Sequence, residues 1–560
     1  MTKKYLIIVA ILLPLQGLLG QTLPSGSALV ENYLRRQQLL GNFDPDFSFN
    51  YRPIALGKNG IAIDSAIFNT DQYFGSSIQS KNQHFTAVVL PVEMRLAYDL
   101  RHPDSRNDGA MIPSRGLQTY LSLGFHMNYG PLSVQFKPEF IWAQNKDFLG
   151  FPNVPRHTEE AWALRYIWFN RMDVPEKFGD GPYRKFHFGQ SSIRLNKWGL
   201  SLGLSTENIW WGPAIRNSIM MSNNAAGFPH ITFNTQRPIK SPIGHFEWQL
   251  ITARLEGSGF EPPATDRQFE NVIQYNPKVD DWRYYQGISI TYSPKWVKGL
   301  SLGFSRWVQQ YYENAKATGS YFPIFQNLFR KNDRDEFGFN LEQDQAAGIF
   351  GKWVWYDAKA EFYFEFAKND AAANLRDLLV DTDHSRAMTV GINKIFPGST
   401  EATNWQFNFE WTQTSQTESG FVRNSSSWLI HSNVRHGLTH NGEVLGVGLG
   451  PGGNAQYMEV AWVKGLSRIG GALERFVHNN DFYLVAFPEE FNRRWIDYNI
   501  RGFVEWKFDK LLISGSLFFT NSLNYQWETR FDPNNTSPFP NAPGVDRTNW
   551  NLDIKASYTL

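Results

Sequence analysis

The sequence predicts an all-β protein, a transmembrane antiparallel β-barrel preceded by a short helical element on its periplasmic side. Three observations carry that reading. Strands of about a dozen residues alternate apolar and polar side chains, the chain stops on a strand of the same type, and it starts with a leader-like segment.

The long strands are clearest between Leu117 and Trp142. Leu117, Leu121, Leu123, Phe125, Met127 and Tyr129 share one face, opposite Gln118, Ser122, Gly124, His126 and Asn128. Gly130-Pro131 makes a turn, after which Leu132, Val134, Phe136, Phe140 and Trp142 alternate with Ser133, Gln135, Lys137 and Glu139. Globular strands cluster near roughly five or six residues, whereas a tilted bilayer crossing takes roughly 9 to 11, so length favours the membrane. The pattern returns at Ala360, Phe362, Phe364 and Phe366 against Lys359, Glu361, Tyr363 and Glu365. It returns again at Trp405, Phe407, Phe409 and Trp411 against Gln406, Asn408, Glu410 and Thr412, and around Ile500–Phe508 against Arg501, Glu505 and Lys507. Uniform apolar faces opposite charged ones fit lipid outside and a polar lumen inside.

In the last strand, Leu552, Ile554, Ala556, Tyr558 and Leu560 lie on one face, and Asp553, Lys555, Ser557 and Thr559 on the other. Such an edge must be paired, and closing a barrel removes edges altogether. An aromatic two residues before an apolar end resembles the C-terminal signal of bacterial outer-membrane barrels, with Leu560 in place of the commoner phenylalanine. At the other end, Lys3 and Lys4 precede an apolar run from Tyr5 to Leu19 and the small residue Gly20, the order of a secretory signal peptide. Residues 1–20 are therefore expected to be removed and the mature chain to begin at Gln21.

Composition agrees. Aromatic residues make up 16% of the 560 residues, with 20 Trp, enough for aromatic girdles at both membrane interfaces. The mean hydropathy of −0.40 is compatible with a barrel, whose strands meet lipid only at every second residue. With 54 basic and 53 acidic residues, nothing attracts nucleic acid. The absence of cysteine excludes lipoprotein anchoring, disulfides and thiolate metal sites. No linker or repeat divides the chain, so three segments are expected: a signal peptide (1–20), a helical segment covering the periplasmic mouth (21–55), and a barrel with plugging loops (56–560). The helix is read between Ser27 and Gly41, where Leu29, Tyr33 and Leu34 lie one turn apart among Glu31, Arg35 and Arg36, and Gly41 is the stop.

Lumen-facing positions mix Lys359 with Glu361 and Glu365, and Arg501 and Lys507 with Glu505. Opposite charges in a confined, low-dielectric space pair, because an unpaired buried ion costs several kcal/mol. A cross-braced interior is therefore preferred to a one-sign channel. The segment from Ser205 to Pro238 stands apart from the strands, with Trp210 and Trp211 flanked by Asn208, Arg216, Asn217, Asn223, Asn224 and His230 as its polar complement. Aromatic faces pack on sugar C–H patches, while amide and charged groups meet hydroxyls, so these eight residues are candidate polysaccharide contacts. Packing of the same segment inside the barrel is the competing reading.

Several long elements resemble one family: Asn107–Asn145, TENIWWGP and MSNNAAGFPH between Thr206 and His230, Asn374–Arg386, and Val434–Leu466. Together they are similar to the Wzi family of outer-membrane capsule-assembly proteins in its Bacteroidetes-like form. The resemblance implies a barrel of about eighteen strands, helices at the periplasmic end, and a lectin-like role in fastening exported polysaccharide to the cell surface. Its implied partners are capsular or extracellular polysaccharide, outer-membrane lipid, the barrel-assembly machinery and a larger envelope protein complex. No enzyme, metal or cofactor is expected: Ser432 with His436, Ser385 with His384, His478–Asp481 and Asp381–His384 are sequence neighbours that solvated turns explain. The runner-up reading is a porin-like channel or an accessory barrel subunit of a larger outer-membrane complex.

Overall fold

In the computed structural model the described residues are 22–25, 28–57, 60, 78–80, 84–325, 342–369, 375–400, 402–417, 427–488, 490, 492–530 and 544–560. The expected signal peptide, Gln21 and Asn374 lie outside them. Eighteen strands form one antiparallel sheet closed on itself. They are β1 Phe85–Asp99, β2 Gly116–Tyr129, β3 Leu132–Phe136 with Glu139–Ala143, β4 Tyr183–His187 with Ser192–Lys197, β5 Leu200–Ser205 and β6 His230–Thr235 with Ile239–Ser241. The wall continues with β7 Gly244–Leu255, β8 Arg283–Pro294, β9 Leu300–Tyr311, β10 Asp344–Trp355, β11 Ala360–Lys368 and β12 Arg386–Pro397. It is completed by β13 Thr403–Gln413, β14 Asn454–Lys464, β15 Ser467–Val477, β16 Ile496–Phe508, β17 Leu511–Leu523 and β18 Arg547–Tyr558.

Closure is made by β18 on β1, with Asn551 opposite Asp99 and Tyr558 opposite Val92. Along β18, Trp550, Leu552, Ile554 and Tyr558 are exposed, while Asn549, Asn551 and Ser557 are buried. The same split holds on β2 and β3, where Leu121, Leu123, Phe125, Phe136 and Phe140 point outward and Gln118, His126, Gln135 and Glu139 inward. An exposed apolar surface of this extent is stable only against lipid. Among the described residues no helix is long and apolar enough to cross a membrane, so the crossing is made by strands. Exposed aromatics ring both ends of the belt: Tyr129, Trp198, Trp296, Trp355, Phe508 and Tyr558 at one, Tyr98, Trp411, Tyr498 and Trp550 at the other.

The two ends differ in their connections. At one end residues 130–131, 198–199, 242–243, 295–299, 356–359, 398–402, 465–466 and 509–510 make short turns. At the other the connections run from 16 residues (100–115) to 40 residues (414–453). Helix α1, Ala28–Leu39, sits in the short-turn mouth and ends where Gly41 takes a φ of +80°. It is embedded on more than its apolar face. Arg35 donates to Glu361 Oε1 (2.9 Å) and to the carbonyl of Pro213 (3.0 Å), and Arg36 to the carbonyl of Gly465 (2.7 Å). Both arginines lie on the polar side in the sequence pattern and are nonetheless buried, because wall carboxylates and turn carbonyls replace their hydration.

The long loops carry structure the sequence reading did not anticipate. Helix α2, Glu159–Arg171, is capped by Thr158, whose Oγ1 accepts from the Ala161 amide (3.1 Å), and Glu159 and Glu160 stand in its first turn, where the helix dipole favours them. It packs on a short helix, α5, Asn480–Ala486; two further short helices, α3 Tyr312–Thr318 and α4 Leu375–Val380, precede α5 in the chain. Phe151, Trp162, Tyr166, Phe482, Phe487 and Trp527 form the aromatic core of this cap over the rim.

Candidate functional site

The segment after β5 turns into the lumen. Glu207, fully buried, accepts from Thr22 Oγ1 (2.5 Å), Arg194 Nη2 (2.7 Å) and Ser205 Oγ (2.9 Å). Burial alone would raise this carboxyl, but Arg194 and the hydroxyls outweigh it and hold Glu207 below the usual carboxylate range. Asn208 donates to the carbonyl of Ala225 (2.7 Å) and accepts from Gln190 (2.8 Å). Trp210 and Trp211 pair in antiparallel register with Arg52 and Tyr51 of the N-terminal segment, which enters from the opposite mouth. Trp211 is 1% exposed, donates from Nε1 to Gln249 Oε1 (2.7 Å), and packs against Gly287, where a Cβ would meet its ring at 2.4 Å.

Beyond Gly212 two wall carboxylates grip the plug's backbone. Glu365 accepts from the amides of Ala214 (3.0 Å) and Ile219 (2.8 Å), and Glu410 from those of Ile215, Arg216 and Asn217 (3.0, 3.1 and 2.7 Å). Asn223 and Asn224 bind the backbone of Asn107, and Asn224 also reaches the carbonyl of Val444 (3.3 Å). His230 contacts the carbonyl of Phe228 through Nδ1 (2.8 Å). Three inward-folded loops, within 100–115, 206–229 and 427–453, thus meet the N-terminal segment and fill the lumen around a core that includes Trp211, Ile219, Trp428 and Leu438.

Of the eight sequence-predicted residues, Arg216 and Asn223 reach a lumenal cavity of about 300 Å³. Trp210 and Asn223 border a smaller one of about 140 Å³, and Asn208, Trp211, Asn217, Asn224 and His230 are buried. The larger cavity lies between the plug and the wall around the β18–β1 seam. Its charges are paired across long sequence separations. Lys137 contacts Glu93 (2.7 Å), which also meets Lys555 (3.3 Å); Arg95 joins Asp108 (2.6 Å) and Asp553; and Arg106 and Arg216 both bind Glu474 (2.6 and 3.1 Å). Gln118, Ser514, Ser516 and Asn551 add neutral hydrogen-bonding groups. A hydroxyl-rich ligand finds both donors and acceptors here, fixed by their pairing.

Sequence reasoning missed Glu93, Arg95, Arg106, Lys137 and Glu474 as site residues. The inward positions of Lys137 and Glu139 were the signal for this wall. Among the catalytic and cation alternatives, Ser432 bonds Asn433 (3.4 Å), His436, lowered to about 2 by burial and nearby cations, bonds Tyr311 (2.9 Å), and His384 meets Asp381 (3.7 Å). Asn479 caps α5 through Phe482, and His478 pairs with Asp497 (2.7 Å). Among the described residues no cluster of three metal-binding side chains occurs.

The family profile described as "Capsule assembly protein Wzi" matches residues 101–476. The chain belongs to this Wzi family. Among solved structures, Wzi of Escherichia coli, an outer-membrane protein involved in group 1 capsule assembly and described as a carbohydrate-binding β-barrel, superposes with a TM-score of 0.59 at 14% identity, covering 97% of this chain and 100% of that one. That likeness confirms the barrel fold of this Wzi-family chain. OccAB4 of Acinetobacter baumannii (TM-score 0.35, 8% identity, 86% and 99% coverage) and OprD of Pseudomonas aeruginosa (0.35, 7%, 84% and 92%) are more distant. No curated protein matches.

Proposed function

We propose that the protein resides in the outer membrane, binds exported capsular or extracellular polysaccharide, and anchors it at the cell surface by binding rather than by catalysis. Short turns face the periplasm and long loops face outward, as in other outer-membrane barrels. The observation that supports this reading best is the lumen's filling: among the described residues, loops from one mouth and the N-terminal segment from the other meet through Trp210–Trp211 and Tyr51–Arg52 beside a cavity lined by polar and charged side chains. Export with loss of residues 1–20 and insertion by the barrel-assembly machinery belong to the same reading. Arg216 and Asn223 are the proposed polysaccharide contacts among the eight candidates, and the other six hold their segment in place. The test is paired. The purified barrel should conduct little in planar bilayers and retain a capsule or exopolysaccharide fraction on beads; large, stable conductance with no retention overturns the reading in favour of a porin.

A further inference from the structure

A further cavity, of about 180 Å³, opens at the long-loop rim where β15, β16 and β17 meet the loops. One wall is aromatic. His478 stacks on Trp495 with centroids 3.6 Å apart and planes 10° from parallel, and Tyr525 stands edge-on to Trp495 at 5.1 Å. Asp497 fixes this wall by accepting from Trp495 Nε1 (2.9 Å) and His478 Nε2 (2.7 Å). The facing groups are acceptors. Asp104 is held only at 3.8 Å from Arg106 and keeps a quarter of its side chain exposed (26%), while Glu176 accepts from Arg165 (2.6 Å). Among the described residues no lysine or arginine lines this cavity, although Arg106 and Arg165 stand behind its carboxylates. His102, 7% exposed, borders it with Nε2 unpartnered, a buried polar atom of the kind that a ligand or water completes.

An aromatic wall for C–H patches and carboxylates for hydroxyl donors, with no lysine or arginine among the described lining residues, together describe the chemistry of one sugar class. We infer that this rim cavity binds an uncharged sugar residue of the polysaccharide, and that Asp104, the most loosely paired of its three carboxylates, disfavours uronate or other anionic sugars by like-charge repulsion. The inference rests on the polysaccharide-binding reading and gives it a location and a selectivity. The site also continues inward: Thr520 borders the rim cavity, Phe518 on the same face of β17 borders the lumenal cavity, and Asp104 borders both. A chain held at the rim can therefore place its next residues against the mixed charges of the lumen.

The probe is the expressing cell's own surface polysaccharide, partly hydrolysed and separated by anion exchange into uncharged and uronate-bearing oligosaccharides. Binding to the purified barrel is followed by saturation-transfer NMR on the sugar protons. The uncharged pool should bind at least about tenfold more tightly, and Asp104→Asn and Trp495→Leu should each weaken it by about tenfold, the scale of a hydrogen bond to a charged group. Trp495→Phe should keep most of the binding, and Asp104→Lys should shift preference toward the uronate pool. Heat-dependent gel migration shows that each variant is folded, and Trp495→Phe with Asp104→Asn decides the matter if Trp495→Leu does not fold. Preference of the wild-type protein for the uronate pool, or unchanged binding by folded Asp104→Asn and Trp495→Leu, overturns this site and leaves polysaccharide binding standing. Failure of the wild-type protein to retain even intact polysaccharide overturns both.

Discussion

Glu474 is the latch most open to a decisive perturbation. Its carboxylate, 3% exposed, takes two hydrogen bonds from Arg106 (3.0 and 2.6 Å), two from Arg216 (3.1 and 3.3 Å) and one from Asn499 (3.1 Å). Arg106 comes from the 100–115 loop and Arg216 from the 206–229 loop, so one side chain of β15 ties two plug loops to the wall. In Glu474→Gln one acceptor survives, while the other becomes an NH₂ group aimed at guanidinium donors. Both arginines are left with only partial compensation, Arg106 over the Phe476 ring (5.1 Å) and 3.8 Å from Asp104, and Arg216 over Tyr457 (4.4 Å). Breaking a buried pair costs about 3–5 kcal/mol, which shifts the seated-to-released equilibrium of these loops by a factor on the order of 10² to 10⁴. Planar-bilayer recordings should show new, noisy openings, and limited proteolysis should cut within 100–115 or 206–229, while heat-dependent gel migration persists. Replacing all three charges together, Arg106→Met, Arg216→Met and Glu474→Met, should disturb the plug less than the single change, because no ion is then stranded. A quiet, protease-resistant Glu474→Gln barrel, or a triple variant more open than the single one, would refute the latch.

Further expectations follow from the wall, the plug and the cap. On β18, Ile554→Lys should cost about 2–4 kcal/mol near the bilayer midplane and Leu560→Lys about 0–1 near the interface, measured by denaturant unfolding in vesicles; equal costs would contradict the placement of the belt. Trp211→Ala should loosen the plug by about 3–5 kcal/mol, seen as faster hydrogen exchange across 206–229 with barrel abundance unchanged, and protection at the wild-type level would show that the ring is not central to the packing. Two cap groups titrate with opposite sign. Burial lowers His157 to about 3, so its contribution is lost as pH falls from about 6.5 toward 3, whereas burial raises Asp481 to about 6, so its penalty is relieved as pH falls from about 6 toward 4. Asp481→Asn should therefore steepen the loosening of the cap below pH 6, followed by proteolysis of 478–495; an unchanged pH profile would discount the Asp481 contribution.

The barrel was legible in the sequence because lipid imposes a strict two-residue period over long strands. Leu117–Trp142 and Trp550–Leu560 show it without help from any distant residue. Helix α2 was not read, although Thr158, Glu159 and Glu160 start it and Trp162, Tyr166 and Phe169 repeat along it, because a cap of rim loops has no lipid or lumen to set a global pattern. The candidate site was legible in composition only. Aromatic and amide side chains that would suit a sugar also suit a lumen, and Trp211 and Asn208 serve packing while Arg216 and Asn223 reach a cavity. Glu365 and Glu410 could be seen to face inward, but their partners are backbone amides, which leave no mark in a sequence. The meeting of Glu93 with Lys137 and Lys555 depends on closure itself.

The pairing of Trp210–Trp211 with Tyr51–Arg52 has a consequence for how the molecule is made. The strip meets the plug inside a cylinder whose seal joins Asp99 to Asn551, a contact that exists only after nearly every strand has been delivered to the membrane. Contacts of such sequence separation are slow to form, so the open-sided intermediate is long-lived on the scale of local hairpin formation. Its interior is charged, and the strip supplies Arg35 to Glu361 of the wall and Arg52 to the carbonyl of Gly212 in the plug. The seal thus joins strands from the two ends of the barrel's sequence, and its formation depends on chain delivery more than any hairpin pairing in the wall.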